Sequence, residues 1–179
     1  MNKILTIIII FLSTSVLSAN ERDAKLDKLF MELKTNITSS SPMIAQQIWS
    51  LWSTHPTDDK LTSILDEGSK LVQDKQLARA INVFTEVIEL DPTWAEAWNK
   101  RATVLYLMDQ YQSSLNDIKI TLTLEPRHFG ALSGQALNYI ELKEYEKAYI
   151  ILEQMIASIS ESESQIQTQT QTSNTEKEK

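Results

Sequence analysis

An all-α fold of stacked helix pairs is what this sequence predicts, and three observations carry the prediction. Only three glycines and four prolines interrupt a chain of 179 residues that is 42% hydrophobic. That is too few breakers for the many short strands of a sandwich or barrel. Pro92 and Pro126 stand 34 residues apart, and so do Ala80, Ser114 and Ala148. Within each such span the apolar residues recur at helical spacing rather than in alternation.

Laid out with that period from Leu61, the chain falls into three units, 61–94, 95–128 and 129–162. The eighth position reads Gly68, Ala102, Ala136 and the twentieth Ala80, Ser114, Ala148, all small. Other columns are large and apolar: Ile64, Trp98, Leu132; Leu71, Leu105, Tyr139; Leu77, Tyr111, Tyr145; and Phe84, Ile118, Leu152. Two helices of about 13 residues joined by a short turn approach closely only where the crossing point is nearly bare, and the small columns supply that point. The prolines stop the second helix, because the residue before a proline is driven out of helical geometry. The third unit has Ser160 in the proline column, where the apolar columns also stop.

This pattern resembles the tetratricopeptide repeat (TPR), and the resemblance covers residues 61 to about 158. It implies a right-handed superhelical solenoid of helix–turn–helix repeats, with a concave face lined by the first helix of each repeat.

Residues 20–60 predict a divergent helical pair capping the stack. Leu26, Leu29, Phe30 and Leu33 space a first helix, and Ser41-Pro42 opens a second with Ala45, Ile48, Trp49 and Trp52 on one side. Ahead of it, Lys3, an apolar run from Ile4 and small residues ending Val16-Leu17-Ser18-Ala19 form the three-part pattern of an export signal, residues 1–19. The 14 residues Ile4–Leu17 fall short of the roughly 20 that span a bilayer, so cleavage after Ser18 or Ala19 is expected rather than an uncleaved inner-membrane anchor. The mature chain is thereby expected in the periplasm. Residues 163–179 are glutamine, threonine, serine, glutamate and lysine around a single Ile166, and predict a disordered polar tail.

Composition excludes whole classes of function. A net charge of −7 argues against nucleic-acid binding, which rests on neutralising phosphates. With no cysteine there are no disulfides, thiolate zinc sites or cysteine nucleophile. His55 and His128 lie in different units without converging ligands, and no nucleophile motif or glycine-rich phosphate loop is present. No metal, cofactor or catalytic residue is expected.

The most unusual local string is Glu125-Pro126-Arg127-His128-Phe129-Gly130, which joins two units. Arg127 and His128 there precede a helix N-terminus, where they and the free amides could grip an anion. The favoured alternative is structural: Arg127 pairs with Glu125 or Glu96, His128 caps the helix and Phe129 packs. Trp98 is read as core, and Trp94 as a turn filler or a groove-edge contact.

The positions that the TPR resemblance assigns to the concave face are Leu65, Ser69 and Val72, then Glu96, Asn99, Thr103 and Tyr106, then Gly130, Ser133, Leu137 and Ile140. Resemblance to TPR domains that clamp a chaperone's C-terminal carboxylate fails, since Leu65 and Ser69 stand where the clamp needs lysine and asparagine and only Asn99 agrees. The strings AEAWNKRAT (95–103) and LEPRHFGALSG (124–134) do resemble a family of small exported proteobacterial TPR proteins. If Asn99, Arg101, Arg127, His128 and Gly134 belong together, they mark a site between the second and third units.

The function expected is a periplasmic adaptor binding a protein or peptide segment, with Glu96, Asn99, Arg101, Thr103, Tyr106, Arg127, His128, Ser133 and Leu137 as the binding residues. The alternative is a structural subunit whose C-terminal edge is buried in a homo-oligomer or envelope assembly. An enzyme built on Arg127, His128, Asn99 and Glu96 is the remaining reading.

Overall fold

The computed structural model describes residues 21–34 and 41–156. The expected export signal (1–19) and the expected polar tail (163–179) lie outside the described residues. Among those described, all regular structure is helical. Eight helices follow in order: α1 (21–34), α2 (Ser41–Ser53), α3 (Asp59–Gln73), α4 (Leu77–Leu90), α5 (Ala95–Leu107), α6 (Tyr111–Leu124), α7 (Phe129–Glu141) and α8 (145–156). The chain divides into two compact units at Asp59.

In the first unit, α1 contributes Leu26 and Leu29 to the buried set, and α2 contributes Ile44, Ile48 and Trp52. Trp52 meets Phe30 across the pair, with ring centroids 5.9 Å apart, and meets Trp49 edge to face at 5.7 Å. Such aromatic contacts add to the area they bury. The buried stripe on α2 is Ile44-Ile48-Trp52; Ala45 and Trp49 are half-buried at its margin.

The second unit holds α3 to α8 as three helix pairs. Each pair turns through the same device. Lys75, Asp109 and Lys143, again 34 apart, are the non-glycine residues with positive φ among those described, at 59°, 58° and 60°. The amide that follows each reaches back five residues: Gln76 N to Leu71 O at 2.8 Å, Gln110 N to Leu105 O at 2.9 Å and Glu144 N to Tyr139 O at 2.8 Å. The left-handed residue itself bonds three back, to Val72, Tyr106 and Ile140. These are Schellman caps, which satisfy carbonyls a helix end leaves bare and reverse the chain in a few residues.

The connections between pairs repeat as well. Asp91 and Glu125, held extended at φ −142° and −136° by the prolines after them, end α4 and α6. Their side chains accept from amides two residues on, Thr93 N at 2.9 Å and Arg127 N at 3.1 Å.

The small columns are where paired helices touch. A Cβ on Gly68 would lie 2.4 Å from Phe84 Cε1, so the ring occupies the space a side chain would need. One pair further on, Ser114 Oγ donates to Ala102 O at 2.8 Å, bonding the two helices at their crossing. Around the first crossing Leu61, Leu65, Leu71, Phe84, Val87, Ile88, Trp94, Ala97 and Val104 form one buried cluster.

Two expectations change here. Leu65 is fully buried in that cluster, because α4 and its neighbours close over the face it occupies, so it is core and not groove. The tryptophans also exchange roles. Trp94, ahead of α5, is 3% exposed inside the cluster, whereas Trp98 is half-buried at its margin and donates Nε1–H to Pro92 O at 2.9 Å. The turn before α5 folds Trp94 inward, and a helical column count does not register that.

Candidate functional site

α5 carries polar residues on two sides, and each side is occupied differently. Glu96, in its first turn, is buried although it is a carboxylate. Its Oε2 lies 2.9 Å from His128 Nε2 and accepts from Asn99 Nδ2 at 3.1 Å. Lys100, one helical turn on, places Nζ 3.3 Å from Oε1 as an ion pair that lacks hydrogen-bond alignment. A carboxylate taken out of water needs such partners.

His128 is the residue on which α7 begins. Ala131 N donates to its Nδ1 at 3.2 Å, so this nitrogen is the acceptor and Nε2 carries the hydrogen donated to Glu96. One imidazole therefore caps α7 and ties it to α5, with no side-chain exposure on either partner. His55 Nδ1 likewise accepts from a backbone amide, Asp58 N at 2.9 Å, in the turn that follows α2.

The other side of α5 is a second polar joint. Arg101 Nε and Nη2 donate to Asp117 Oδ2 and Oδ1 at 2.8 and 2.9 Å, a two-pronged pair with α6. Nη1 reaches Thr85 Oγ1 of α4 at 3.1 Å, and the guanidinium lies 5.0 Å from the centre of the Trp98 ring. Arg101 thus fastens three helices. Asn138 of α7 donates to Ser114 Oγ at 3.0 Å and to Gly134 O at 2.8 Å, while its buried Oδ1 has no hydrogen-bond partner.

The sequence-derived site residues separate into four groups. Glu96, Asn99 and His128 come together as a buried cluster. Arg101 points to the opposite joint. Arg127 is exposed and pairs with Glu125, Nε to Oε1 at 3.0 Å and Nη2 to Oε2 at 3.3 Å, as the structural alternative expected. Thr103, Ser133 and Leu137 are exposed on the first helices, and Tyr106 is half-buried beside them. Tyr106 OH lies 3.5 Å from Glu141 Oε1 of α7, and desolvation followed by the Glu141 charge raises its pKa. Thr103 donates its hydroxyl to Asn99 O at 2.9 Å. Asp117, Thr85 and Asn138 escaped the sequence reading, since their bonds are made to side chains of other helices and none of the three residues recurs in its column. Among the described residues no group of three or more His, Cys, Asp or Glu is placed to hold a metal. No described helix is long and apolar enough to cross a membrane.

An all-α stack of helix pairs with a row of exposed first-helix side chains is the architecture of a repeat protein. Comparison with known proteins agrees. No family model matches the chain. It is 36% identical over 113 residues to a TPR repeat-containing protein of Rhizobium etli, covering 63% of this chain and 55% of that one. It is 30% identical over 95 residues to tetratricopeptide repeat protein 4 of Bos taurus, covering 51% of this chain and 24% of that one. The chain therefore spans about half the length of the first relative and a quarter of the second. Among solved structures it is similar to the first TPR of Spaghetti (RPAP3) bound to the HSP90 peptide SRMEEVD, with a TM-score of 0.54, 17% identity and coverage of 64% and 93%. The chain has the tetratricopeptide-repeat fold, an all-α helical solenoid, and is related to proteins that carry that name.

Proposed function

We propose that this chain is an exported, periplasmic, non-catalytic adaptor that binds a protein or peptide segment along its row of first helices. The observation that carries the reading is the surface made by Thr103 of α5 with Ser133, Leu137 and Ile140 of α7. It is exposed, uncharged and mixed apolar and polar, on a fold one of whose structural neighbours holds a peptide. Such a surface suits an extended segment with alternating apolar contacts, and it lacks the basic side chains that grip a terminal carboxylate.

The experiment is site-specific photocrosslinking in cells, with the probe at Leu137 and, for comparison, at Lys119 on α6. A discrete adduct at Leu137, lost on Thr103→Glu/Ser133→Glu, supports the groove. Adducts at Lys119 only would overturn it. N-terminal sequencing of the fractionated protein tests export, with a mature chain beginning at Ala19 or Asn20 expected.

A further inference from the structure

The last described helix leaves open the face that every earlier repeat covers. Tyr145, Tyr149, Leu152 and Ile156 follow one another at intervals of four, three and four residues, one stripe along α8. Their exposures are 61%, 60%, 42% and 65%. The same columns in the earlier repeats, Leu77, Ile81, Phe84 and Ile88, then Tyr111, Leu115, Ile118 and Leu122, are all buried or half-buried. The side chains of α8 that are turned inward, Ala148, Ile151 and Met155, already serve the third repeat. The stripe is thus a helix-packing surface by its chemistry and spacing, left without a helix on it among the described residues.

We infer that α8 pairs antiparallel, about a two-fold axis, with α8 of a second copy of this chain. The stripe is complementary to itself. In the antiparallel register centred between Ile150 and Ile151, Tyr145 falls opposite Ile156 of the second copy and Tyr149 opposite Leu152 of the second copy. Each ring thus falls opposite a branched aliphatic chain, so the stripe presents to its own copy the reciprocal pairing that a two-fold interface requires. Tyr149 OH donates to Glu153 Oε1 one turn along, so its hydroxyl is satisfied within its own chain. Charge stays beside the seam, since none of the four stripe residues is ionic and Lys147 is held by Glu144 on its own chain. Residues 157–179 do not offer a competing occupant, because Ala157, Ile159 and Ile166 are their only apolar residues. This inference is independent of the groove reading, which concerns a different face and holds for a monomer as well.

The test exploits the absence of cysteine from the chain. Full-length protein carrying Tyr149→Cys is mixed with protein carrying Leu152→Cys and oxidised. The proposed register predicts that the mixed disulfide forms at least about tenfold faster than the mixed product of Tyr149→Cys and Tyr145→Cys, since only the first pair lies within bridging distance. Sedimentation should show a dimer that Leu152→Glu dissociates, with the helical circular dichroism of the variant unchanged, because Leu152 is exposed in a single copy. A wild-type chain that is monomeric at all concentrations overturns the inference. So does a dimer that survives Leu152→Glu or crosslinks without regard to register. Should Leu152→Glu lose helicity, Tyr149→Lys provides the same comparison.

Discussion

His128 donates Nε2–H to Glu96 at 2.9 Å across 32 residues of sequence while its other nitrogen caps α7 through Ala131 N. The two bonds constrain each other. The amide proton fixes which nitrogen is the acceptor, and that tautomer is the one able to satisfy the buried carboxylate. His128→Ala removes the cap and leaves Glu96 with Asn99 and a misaligned Lys100. The expected loss is about 2–4 kcal/mol in urea unfolding followed by circular dichroism. Glu96→Ala/His128→Ala should cost less than the two single changes added together, because the second removal no longer strands a partner.

Arg101 is expected to behave as a structural clamp. Arg101→Ala leaves buried Asp117 without its two-pronged partner and should cost about 3 kcal/mol, and Arg101→Lys should recover only part of it, since an ammonium does not reproduce the fork. Equal stability of Arg101→Lys and the parent would show that the geometry is unimportant.

Gly68 decides the sign of a substitution that is otherwise favourable in helices. Alanine at a helical glycine gains about 1 kcal/mol of propensity. Here its Cβ meets the Phe84 ring at 2.4 Å, and forcing the helices apart costs about 1–3 kcal/mol. Gly68→Ala is therefore expected to lower the melting temperature, and Gly68→Leu to lower it further. Phe84→Leu should relieve the alanine variant in part.

The left-handed lysines are a reserve of stability. A side chain at positive φ costs about 1–2 kcal/mol, which glycine avoids. Lys75→Gly and Lys143→Gly should each raise the unfolding midpoint, and together they should add, being far apart. Asp109→Gly should gain less, because Asp109 Oδ1 accepts from Tyr111 OH at 2.7 Å.

That bond also sets an alkaline signature. The Asp109 hydrogen bond first, then desolvation and charge, pushes Tyr111 up to about 12. A group whose pKa rises on folding contributes in full below its unfolded value, about 10 for tyrosine, and loses the contribution as pH climbs towards the folded value. Ultraviolet titration should thus show a phenolate step at about pH 12 that Tyr111→Phe deletes and Asp109→Ala moves towards pH 10. A curve unchanged by either substitution would contradict the assignment.

The helix pairs were legible because the signal for them is local and repeated. A small residue at a crossing, a proline after a helix and an apolar column each act within one 34-residue frame, so the sequence by itself determined the all-α repeat architecture and where its helices run. Arg127 pairing with Glu125 and His128 capping α7 were legible for the same reason, as contacts within three residues. What only the tertiary structure decided is which polar residues the stacking buries. Asn99 and Glu96 occupy columns that a first helix turns to its groove, yet α7 arrives over them and His128 locks them in. Leu65 sinks into the core, and Trp94 displaces Trp98 as the deeper ring. These outcomes depend on the approach of one helix pair to the next. That approach is set by side chains tens of residues apart, and a periodic pattern along the chain carries no record of it.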